Sequence, residues 1–241
     1  MLIIHFTKKF YLLQFDYGDY LYQVGLIDEP QRDHFIVEQN KFKKAVAEKE
    51  FIKAFNIMDA LMDGDLTPGG LSYYKNVTGM SNYFNILFDN SPENQGYFNK
   101  YLALPETRSA IHVGNLTFND GNTVEEYLRK DVVDTVKPWV EEILNANYRT
   151  LMYSGQLDVI VAAPLTENFL RNLNWSKSRQ YQQSKRKIYK VKPEDKAVAG
   201  YVRQADNFIY VLIRNSGHMV PYDQPRVAKD MITRFVKKQN F

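Results

Sequence analysis

The sequence predicts an α/β protein in which helices cover a central sheet, and three observations support this class. Apolar residues recur at helical spacing over residues 28–63 and again over residues 122–147. Three short apolar runs bounded by turn residues follow, at 148–153, 197–203 and 208–214, and each is typical of a strand. The second half therefore runs helix, strand, turn, helix, hairpin, turn, helix, the order expected for a sheet covered by helices.

Composition indicates a well-packed globular chain and excludes several chemistries. The 241 residues are 44% apolar and 14% aromatic, which is ample for a core. A formal charge of +3 is too small to indicate nucleic acid as a partner. Residues 176–192 are basic with interleaved tyrosines; we interpret them as a solvated surface, with nucleic-acid contact as the alternative. The absence of cysteine excludes disulfides, thiolate metal sites and a cysteine nucleophile.

No membrane span and no signal peptide are predicted. The N-terminal stretch is apolar, but Lys8 and Lys9 interrupt it before it reaches the length of a signal-peptide core. No run approaches the roughly 18 apolar residues that a membrane span requires. Three Asn-x-Ser/Thr triplets, beginning at Asn76, Asn115 and Asn174, are potential glycan acceptors if the chain enters the secretory route.

The first half is predicted to be helical, with an irregular cover. The pattern over residues 28–63 predicts amphipathic helices that end at Gly64. Residues 71–98 are rich in Tyr, Asn and Ser without a clear period, so we expect a covering loop or lid. The Leu104-Pro105-Glu106 stretch then opens a short helix over residues 107–112, with proline near its start and glutamate in its first turn.

Proline and turn residues divide the second half. The helical pattern before the first strand is broken near Pro138, so it predicts one or two helices. Ser154-Gly155 is predicted to end that strand, and residues 164–175 read as a helix. Asp206-Asn207 is expected to join the last two strands as a hairpin, and Pro225 to begin a C-terminal helix with an apolar stripe.

Two of the predicted turns carry side chains suited to catalysis. Asp158 follows the first strand, and His218 follows the last one. Ligands and catalytic groups gather beyond the carboxyl ends of strands in such sheets. An acid followed by a histidine is the order Ser…Asp…His of the α/β-hydrolases, in which the carboxylate holds the imidazole while the imidazole takes a proton from serine. On these residues alone, a turn-forming aspartate and a partly buried turn histidine remain the alternatives.

Four longer motifs resemble those of the serine carboxypeptidases, peptidase family S10. They are Leu104-Pro105-Glu106 leading to Ala110-Ile111-His112-Val113-Gly114, Tyr153-Ser154-Gly155-Gln156-Leu157-Asp158, Val198-Ala199-Gly200-Tyr201, and Gly217-His218-Met219-Val220-Pro221-Tyr222-Asp223-Gln224-Pro225. From Tyr20 to the C-terminus, about nine tenths of the chain, the sequence is similar to the C-terminal half of that family.

The resemblance implies a function and a set of site residues. It implies Asp158 as the acid of a catalytic triad, His218 as the base, and Met219 beside the pocket for the departing residue. It further implies release of C-terminal residues from peptide or protein substrates, with no metal or organic cofactor. The setting that it implies is secretory, lysosomal or extracellular.

The resemblance also implies a division of the chain. Residues 1–16 form an atypical N-terminal segment, 17–115 a helical lid or insertion, and 116–241 the C-terminal part of an α/β-hydrolase core whose first half is missing. The central apolar runs are therefore expected to face solvent or a substitute partner. Met80 and residues 88–90 stand where the family is expected to carry lid cysteines, so we expect a looser lid.

The nucleophile that the resemblance requires is absent from the sequence. In the family the serine lies in a Gly-x-Ser-x-Gly elbow of the N-terminal half, and no such motif occurs in these 241 residues. Ser72 has only the first glycine, while Ser154 and Ser216 precede the acid and the base in their own loops. We therefore expect the chain to be inactive on its own. The alternative function is a non-catalytic glycoprotein or interaction module derived from a carboxypeptidase.

Overall fold

A five-stranded mixed sheet forms the centre of the protein, which confirms the predicted α/β class. The computed structural model describes residues 2–5, 15–116, 118 and 121–241. The strand order is β1-β2-β5-β4-β3. β1, β2 and β5 are parallel to one another, β4 runs antiparallel to β5, and β3 runs antiparallel to β4. The strands span β1 Leu2–His5, β2 Thr150–Gly155, β3 Lys187–Tyr189, β4 Gly200–Ala205 and β5 Phe208–Ile213.

The register of β2 and β5 positions the two turns of interest. Gly155 pairs with Ile213, so the last residues of both strands lie at the same level of the sheet. The strands are parallel, and their carboxyl ends therefore open on the same edge. β2 includes Ser154 and Gly155, which were predicted to form the turn, so the turn begins two residues later than predicted, at Gln156.

The predicted hairpin between β4 and β5 is confirmed. Ala205 pairs with Phe208, which leaves the two residues Asp206 and Asn207 as the loop. Asp206 has a φ of +50°, the left-handed conformation that two-residue hairpin loops require. The Asn207 side chain donates hydrogen bonds to the carbonyls of Leu144 and Tyr148, so the loop is also fastened to the preceding helix.

Helices in the first half follow the predicted pattern, with one addition. They are α1 Tyr17–Gln23, α2 Glu29–Ala47 and α3 Phe51–Met58. The Asp28 side chain caps α2 reciprocally with Gln31, and a π-helical turn over Asp59–Asp63 extends α3 to Gly64, whose φ is +78°. The predicted helices and their end at Gly64 are therefore confirmed, whereas α1 was not predicted.

The cover over residues 71–132 is more helical than predicted. Its elements are α4 Tyr73–Thr78, a 3₁₀ turn Glu93–Gly96, α5 Tyr97–Ala103, α6 Pro105–Ala110 and α7 Gly121–Val132. The expectation of a loop holds for residues 79–92. Where the lid cysteines were expected, the backbone N–H groups of Ser81 and Asn82 both donate to the Asp89 carbonyl, so hydrogen bonds join these stretches.

Five helices complete the second half. They are α8 Lys137–Asn145, α9 Ala163–Arg171, α10 Ser178–Gln183, α11 Val220–Asp223 and α12 Pro225–Val236. Pro138 lies in the first turn of α8 and Pro225 in that of α12, as predicted. α10 and β3 lie within the basic run 176–192, where Tyr181 and Tyr189 are buried. The interpretation of that run as a solvated surface was therefore wrong for its tyrosines.

Helices cover both faces of the central strands. On β5, Phe208, Tyr210 and Leu212 face one core, which the first-half helices and α9 complete. The alternate residues Ile209, Val211 and Ile213 face a second core with α12. A strand buried on both faces is a continuous apolar run, as this sequence shows. The central apolar runs were expected to face solvent or a substitute partner. Every residue of β2 and β5 is buried, so exposure to solvent was wrong for these two strands. In the part of the chain described, no helix is long and apolar enough to cross a bilayer.

Candidate functional site

The structure brings the two residues singled out by sequence into contact. Asp158 lies three residues beyond β2, and His218 lies five residues beyond β5. The distance between His218 Nδ1 and Asp158 Oδ2 is 2.9 Å, which is a hydrogen bond. The two turns are themselves joined, because the N–H of Leu157 donates to the carbonyl of Ser216 at 2.7 Å.

Asp158 is a buried carboxylate whose two oxygens both have partners. Asp158 is 1% exposed. Its Oδ2 contacts His218, and its Oδ1 accepts the N–H of Val161 at 3.0 Å. A buried charge is costly unless it is paired in this way. Tyr20 donates its hydroxyl to the Asp158 carbonyl, and burial, followed by the Asp158 charge, raises the pKa of Tyr20 well above its usual range. The arrangement stabilises an acceptor aimed at one imidazole nitrogen.

His218 is held by its backbone and by its ring. Its N–H donates to the Phe84 carbonyl at 2.6 Å, and its ring lies 5.4 Å from the Phe84 ring, centroid to centroid. The side chain is 17% exposed, so the imidazole reaches the surface while its partner Asp158 does not. A carboxylate at Nδ1 favours the tautomer with the proton on Nδ1, which makes Nε2 the nitrogen able to accept a proton from a hydroxyl.

Met219 follows His218 directly and lies at the rim of the site. It is 46% exposed, which is high for a methionine, and it precedes α11. A flexible apolar side chain beside the base is suited to contacting apolar parts of a ligand. The assignment of Met219 to a substrate pocket stays a prediction.

The serine hydroxyls considered from the sequence have other contacts. Ser216 is fully buried and donates to the Gly217 carbonyl, while Ser154 is buried and lies 3.4 Å from the Thr166 hydroxyl. Ser72 donates to the Met62 carbonyl and accepts the N–H of Lys75, as the cap of α4. These hydroxyls are therefore engaged in the fold.

Comparison with known proteins decides the family. A sequence model of the family described as serine carboxypeptidase, peptidase S10, matches residues 11–238. The chain belongs to the serine carboxypeptidase family. The match begins within the segment 1–16 that looked atypical, and it includes both Asp158 and His218.

Several serine carboxypeptidases are similar to this chain over nearly all of its length. A probable serine carboxypeptidase, CPVL, of Homo sapiens is 51% identical over 220 residues, which are 91% of this chain and 46% of the relative. Venom serine carboxypeptidase of Apis mellifera is 43% identical over 95% of this chain and 48% of the relative. Vitellogenic carboxypeptidase of Aedes aegypti is 43% identical, with shares of 94% and 48%. The chain therefore spans about half the length of the curated relatives it matches.

A solved structure supports the fold. The crystal structure of KEX1(Δ)P, a prohormone-processing carboxypeptidase from Saccharomyces cerevisiae, aligns with a TM-score of 0.70 at 17% identity. The alignment covers 94% of this chain and 52% of the other. The α/β fold is thus shared with this carboxypeptidase, over about half of that molecule.

Sequence reasoning missed three residues that lie against Asp158 or the turn that carries His218. Tyr20 contacts the Asp158 carbonyl, and Asn85 and Asp223 are hydrogen-bonded to each other near His218. Asp223 lies within the motif that carries His218, which was the available signal. Tyr20 and Asn85 lie far from the motif in sequence, and only the fold brings them to it.

Two further features lie apart from the acid and base. A cavity of about 810 Å³ between α2 and α3 is lined in part by His34, Phe51 and Tyr73, and neither Asp158 nor His218 lines it. One carboxylate oxygen from each of Asp63, Asp65 and Glu125 lies within 4.8 Å of the others. Such acidic groups are common without an ion, and we assign no metal to this cluster.

Proposed function

We propose that this chain supplies the acid and the base of a serine carboxypeptidase that releases C-terminal residues from peptides and proteins. Asp158 orients the imidazole, and His218 acts as the general base and acid. The 2.9 Å contact between Asp158 Oδ2 and His218 Nδ1 is the single observation that carries this proposal. Family membership supports a peptide as the substrate.

The reaction follows from the roles of the two groups. His218 Nε2 accepts the proton of a serine hydroxyl while the serine oxygen attacks the last peptide carbonyl. The imidazolium, stabilised by Asp158, then gives that proton to the nitrogen of the departing residue as the peptide bond breaks. Water, deprotonated by the same imidazole, hydrolyses the acyl-serine and restores both groups. Each step moves a proton without a metal or an organic cofactor.

The nucleophilic serine of this reaction, we propose, is not among these 241 residues. Three observations support this: no Gly-x-Ser-x-Gly occurs, the three candidate hydroxyls are engaged elsewhere, and the chain spans about half the length of its relatives. These 241 residues by themselves are then inactive, and residues outside them supply the serine and the oxyanion donors.

A second candidate is a non-catalytic glycoprotein or interaction module. Helices α5, α6 and α7 and the described residues between them favour it, because they expose many large apolar side chains. These are Tyr97, Phe98, Tyr101, Leu104, Ile111, Leu116, Phe118, Val124, Tyr127 and Leu128. In this alternative the apolar side chains bind a protein partner, and His218 is dispensable.

We further propose a secretory, lysosomal or extracellular location with glycans at the three sequons. Asn76, Asn115 and Asn174 are all exposed, which glycosylation requires, although Thr117 of the second sequon lies outside the described residues. The name of the honeybee relative, a venom protein, also supports this setting.

Turnover of an N-blocked dipeptide tests the proposed function. The chain is assayed alone and after co-expression with the part of the human relative that it does not cover. We expect no turnover by the chain alone and measurable turnover by the combination. His218→Ala should abolish that turnover. His34→Ala, which replaces an exposed histidine elsewhere, should preserve it. Turnover by the chain alone would contradict a missing nucleophile. A stable combination without turnover would favour the binding module.

A further inference from the structure

Residues 82–87 contact both turns that carry the acid and the base. The Tyr83 carbonyl accepts the N–H groups of Val159 and Ile160, at 3.2 and 3.0 Å. The Ile86 N–H donates to the Leu157 carbonyl at 2.9 Å. Asp158 therefore lies between residues that are bonded to this segment on both sides.

The same segment holds the turn of His218. The Phe84 carbonyl accepts the His218 N–H, and the segment packs so tightly against Gly217 that a side chain does not fit there. A Cβ on Gly217 would lie 2.1 Å from the Phe84 oxygen and 2.6 Å from Asn85 Cβ. Because the contact is this close, movement of the segment displaces the backbone that carries the imidazole.

The Asp223 carboxylate links Gly217 to Asn85. Its Oδ2 accepts the N–H of Gly217 at 2.7 Å and the side-chain amide of Asn85 at 3.1 Å. Asn85 is 6% exposed, and its Oδ1 accepts the N–H of Leu87 at 3.1 Å. One carboxylate thus joins the short helix α11, the residue before His218 and the segment that contacts Asp158.

Contacts beyond the strands are needed because the sheet alone does not set the distance between Asp158 and His218. Strand pairing fixes the chain only as far as Gly155 and Ile213. Asp158 lies three residues beyond that point and His218 five, so their separation depends on contacts between the turns. A hydrogen bond to a carboxylate is among the stronger contacts available, and a buried partner makes its direction specific.

We infer that Asp223 and Asn85 form a positioning pair that sets the distance and angle between His218 and Asp158. The pair acts through the Gly217 backbone, to which Asp223 is hydrogen-bonded directly and Asn85 through Asp223. The inference rests on the proposed function in that it assigns a catalytic purpose to the pair. Its structural part, control of the His218–Asp158 hydrogen bond, is measurable without turnover.

The imidazole itself provides the first test. The Nδ1–H proton of His218 in its hydrogen bond to Asp158 is followed by NMR in the folded chain, with Asp158→Asn as the reference for loss of that bond. We expect Asp223→Ala and Asn85→Ala to shift or broaden this resonance. Tyr222→Phe, on the same helix and bonded to Asn94 instead, should leave it unchanged. An unchanged resonance in folded Asp223→Ala would overturn the inference.

An exchange of the two side chains separates positioning from simple packing. Asp223→Asn and Asn85→Asp each leave a mismatched pair, amide with amide or carboxylate with carboxylate. The double variant restores one amide and one carboxylate, and Asn at 223 can still accept the Gly217 N–H through its carbonyl. We expect the resonance to return in the double variant. If the resonance does not return, and the two single changes in thermal stability simply add in the double variant, the pair has a structural role only.

Activity gives the second readout once a serine-bearing half is supplied. We expect Asp223→Ala to lower kcat by up to about 10²-fold with little change in KM, since a misplaced base slows chemistry more than binding. A change in KM alone would contradict positioning of the base. If the assembled enzyme shows no turnover at all, the proposed function fails, while the NMR test still decides the inference.

Discussion

The corner of the sheet that carries Asp158 and His218 differs sharply from helices α5 to α7. At the corner, polar groups from residues 82–87, both turns and α11 are hydrogen-bonded to one another, and Asn82, Asn85, Asp158 and Ser216 are buried. On helices α5 to α7, large apolar side chains lie at the surface, and Tyr127 is 85% exposed. The comparison teaches that this chain brings Asp158 and His218 together by its own contacts, whereas helices α5 to α7 leave large apolar side chains at the surface.

The largest effect is expected from removing the base at the well-ordered corner. In the enzyme completed with a serine-bearing half, His218→Ala should lower kcat/KM by at least about 10³-fold, because the serine loses the group that takes its proton. Steady-state hydrolysis of an N-blocked dipeptide measures this. A loss of less than tenfold would mean that His218 is a structural residue.

The next largest effect tests how tightly the corner is packed. Gly217→Ala places a Cβ 2.1 Å from the Phe84 oxygen, so we expect a loss of about 3 kcal/mol in the free energy of unfolding. Gly96→Ala is the matched control, because no atom lies within 4 Å of its added Cβ. Urea denaturation of both variants provides the comparison. Equal midpoints would contradict the close packing on which the corner depends.

A smaller effect is expected from the acidic cluster where the π-helical turn meets α7. Burial, and then the charge of Asp63, raises the pKa of Asp65 to about 7, with Asp59 and Glu125 contributing in the same direction. Between about pH 4 and 7 the unfolded chain has lost this proton while the folded chain keeps it, so stability falls as pH rises through that window.

Replacement of Asp65 by asparagine removes that proton and its pH dependence. The thermal midpoint of Asp65→Asn, compared with the parent from pH 4 to 8, should decline less as pH rises. Glu93→Gln on the 3₁₀ turn serves as a control carboxylate outside the cluster and should leave the slope unchanged. A parallel slope in Asp65→Asn and the parent would contradict the raised pKa.

The smallest effect on stability is expected on helix α7. Tyr127→Ser should change the free energy of unfolding by no more than about 0.5 kcal/mol, because its side chain is mostly in contact with solvent. It should nonetheless reduce self-association, which light scattering measures at increasing protein concentration. A large loss of stability would mean that Tyr127 belongs to the folded core, which would remove the contrast between the two regions.

Local signals in the sequence predicted much of the fold and the two central residues. Asp206-Asn207 predicted the hairpin because the conformation of a two-residue loop depends on its own residues. Pro225 predicted the start of α12 because proline favours the first position of a helix. Asp158 and His218 were found because each follows a recognisable strand within a characteristic motif. Each of these features depends on neighbours in sequence.

The features that were missed depend on contacts between distant residues. Asn85 and Asp223 are 138 positions apart, so no local pattern could pair them. Tyr181 and Tyr189 were taken for part of a solvated run because lysines and arginines surround them in sequence, and tertiary packing buries them. The central strands were expected to face solvent or a substitute partner, but β1 pairs along β2 and helices cover both faces.

The central claim is that the chain holds a preassembled acid and base and lacks the serine they serve. Labelling with a fluorophosphonate probe tests it most directly, because the probe reacts with a serine activated by a base and an oxyanion hole. We predict no labelling of the folded chain alone. After assembly we predict labelling of the added half, and this labelling should require His218. Labelling of a serine within these 241 residues, lost in His218→Ala, would contradict the account.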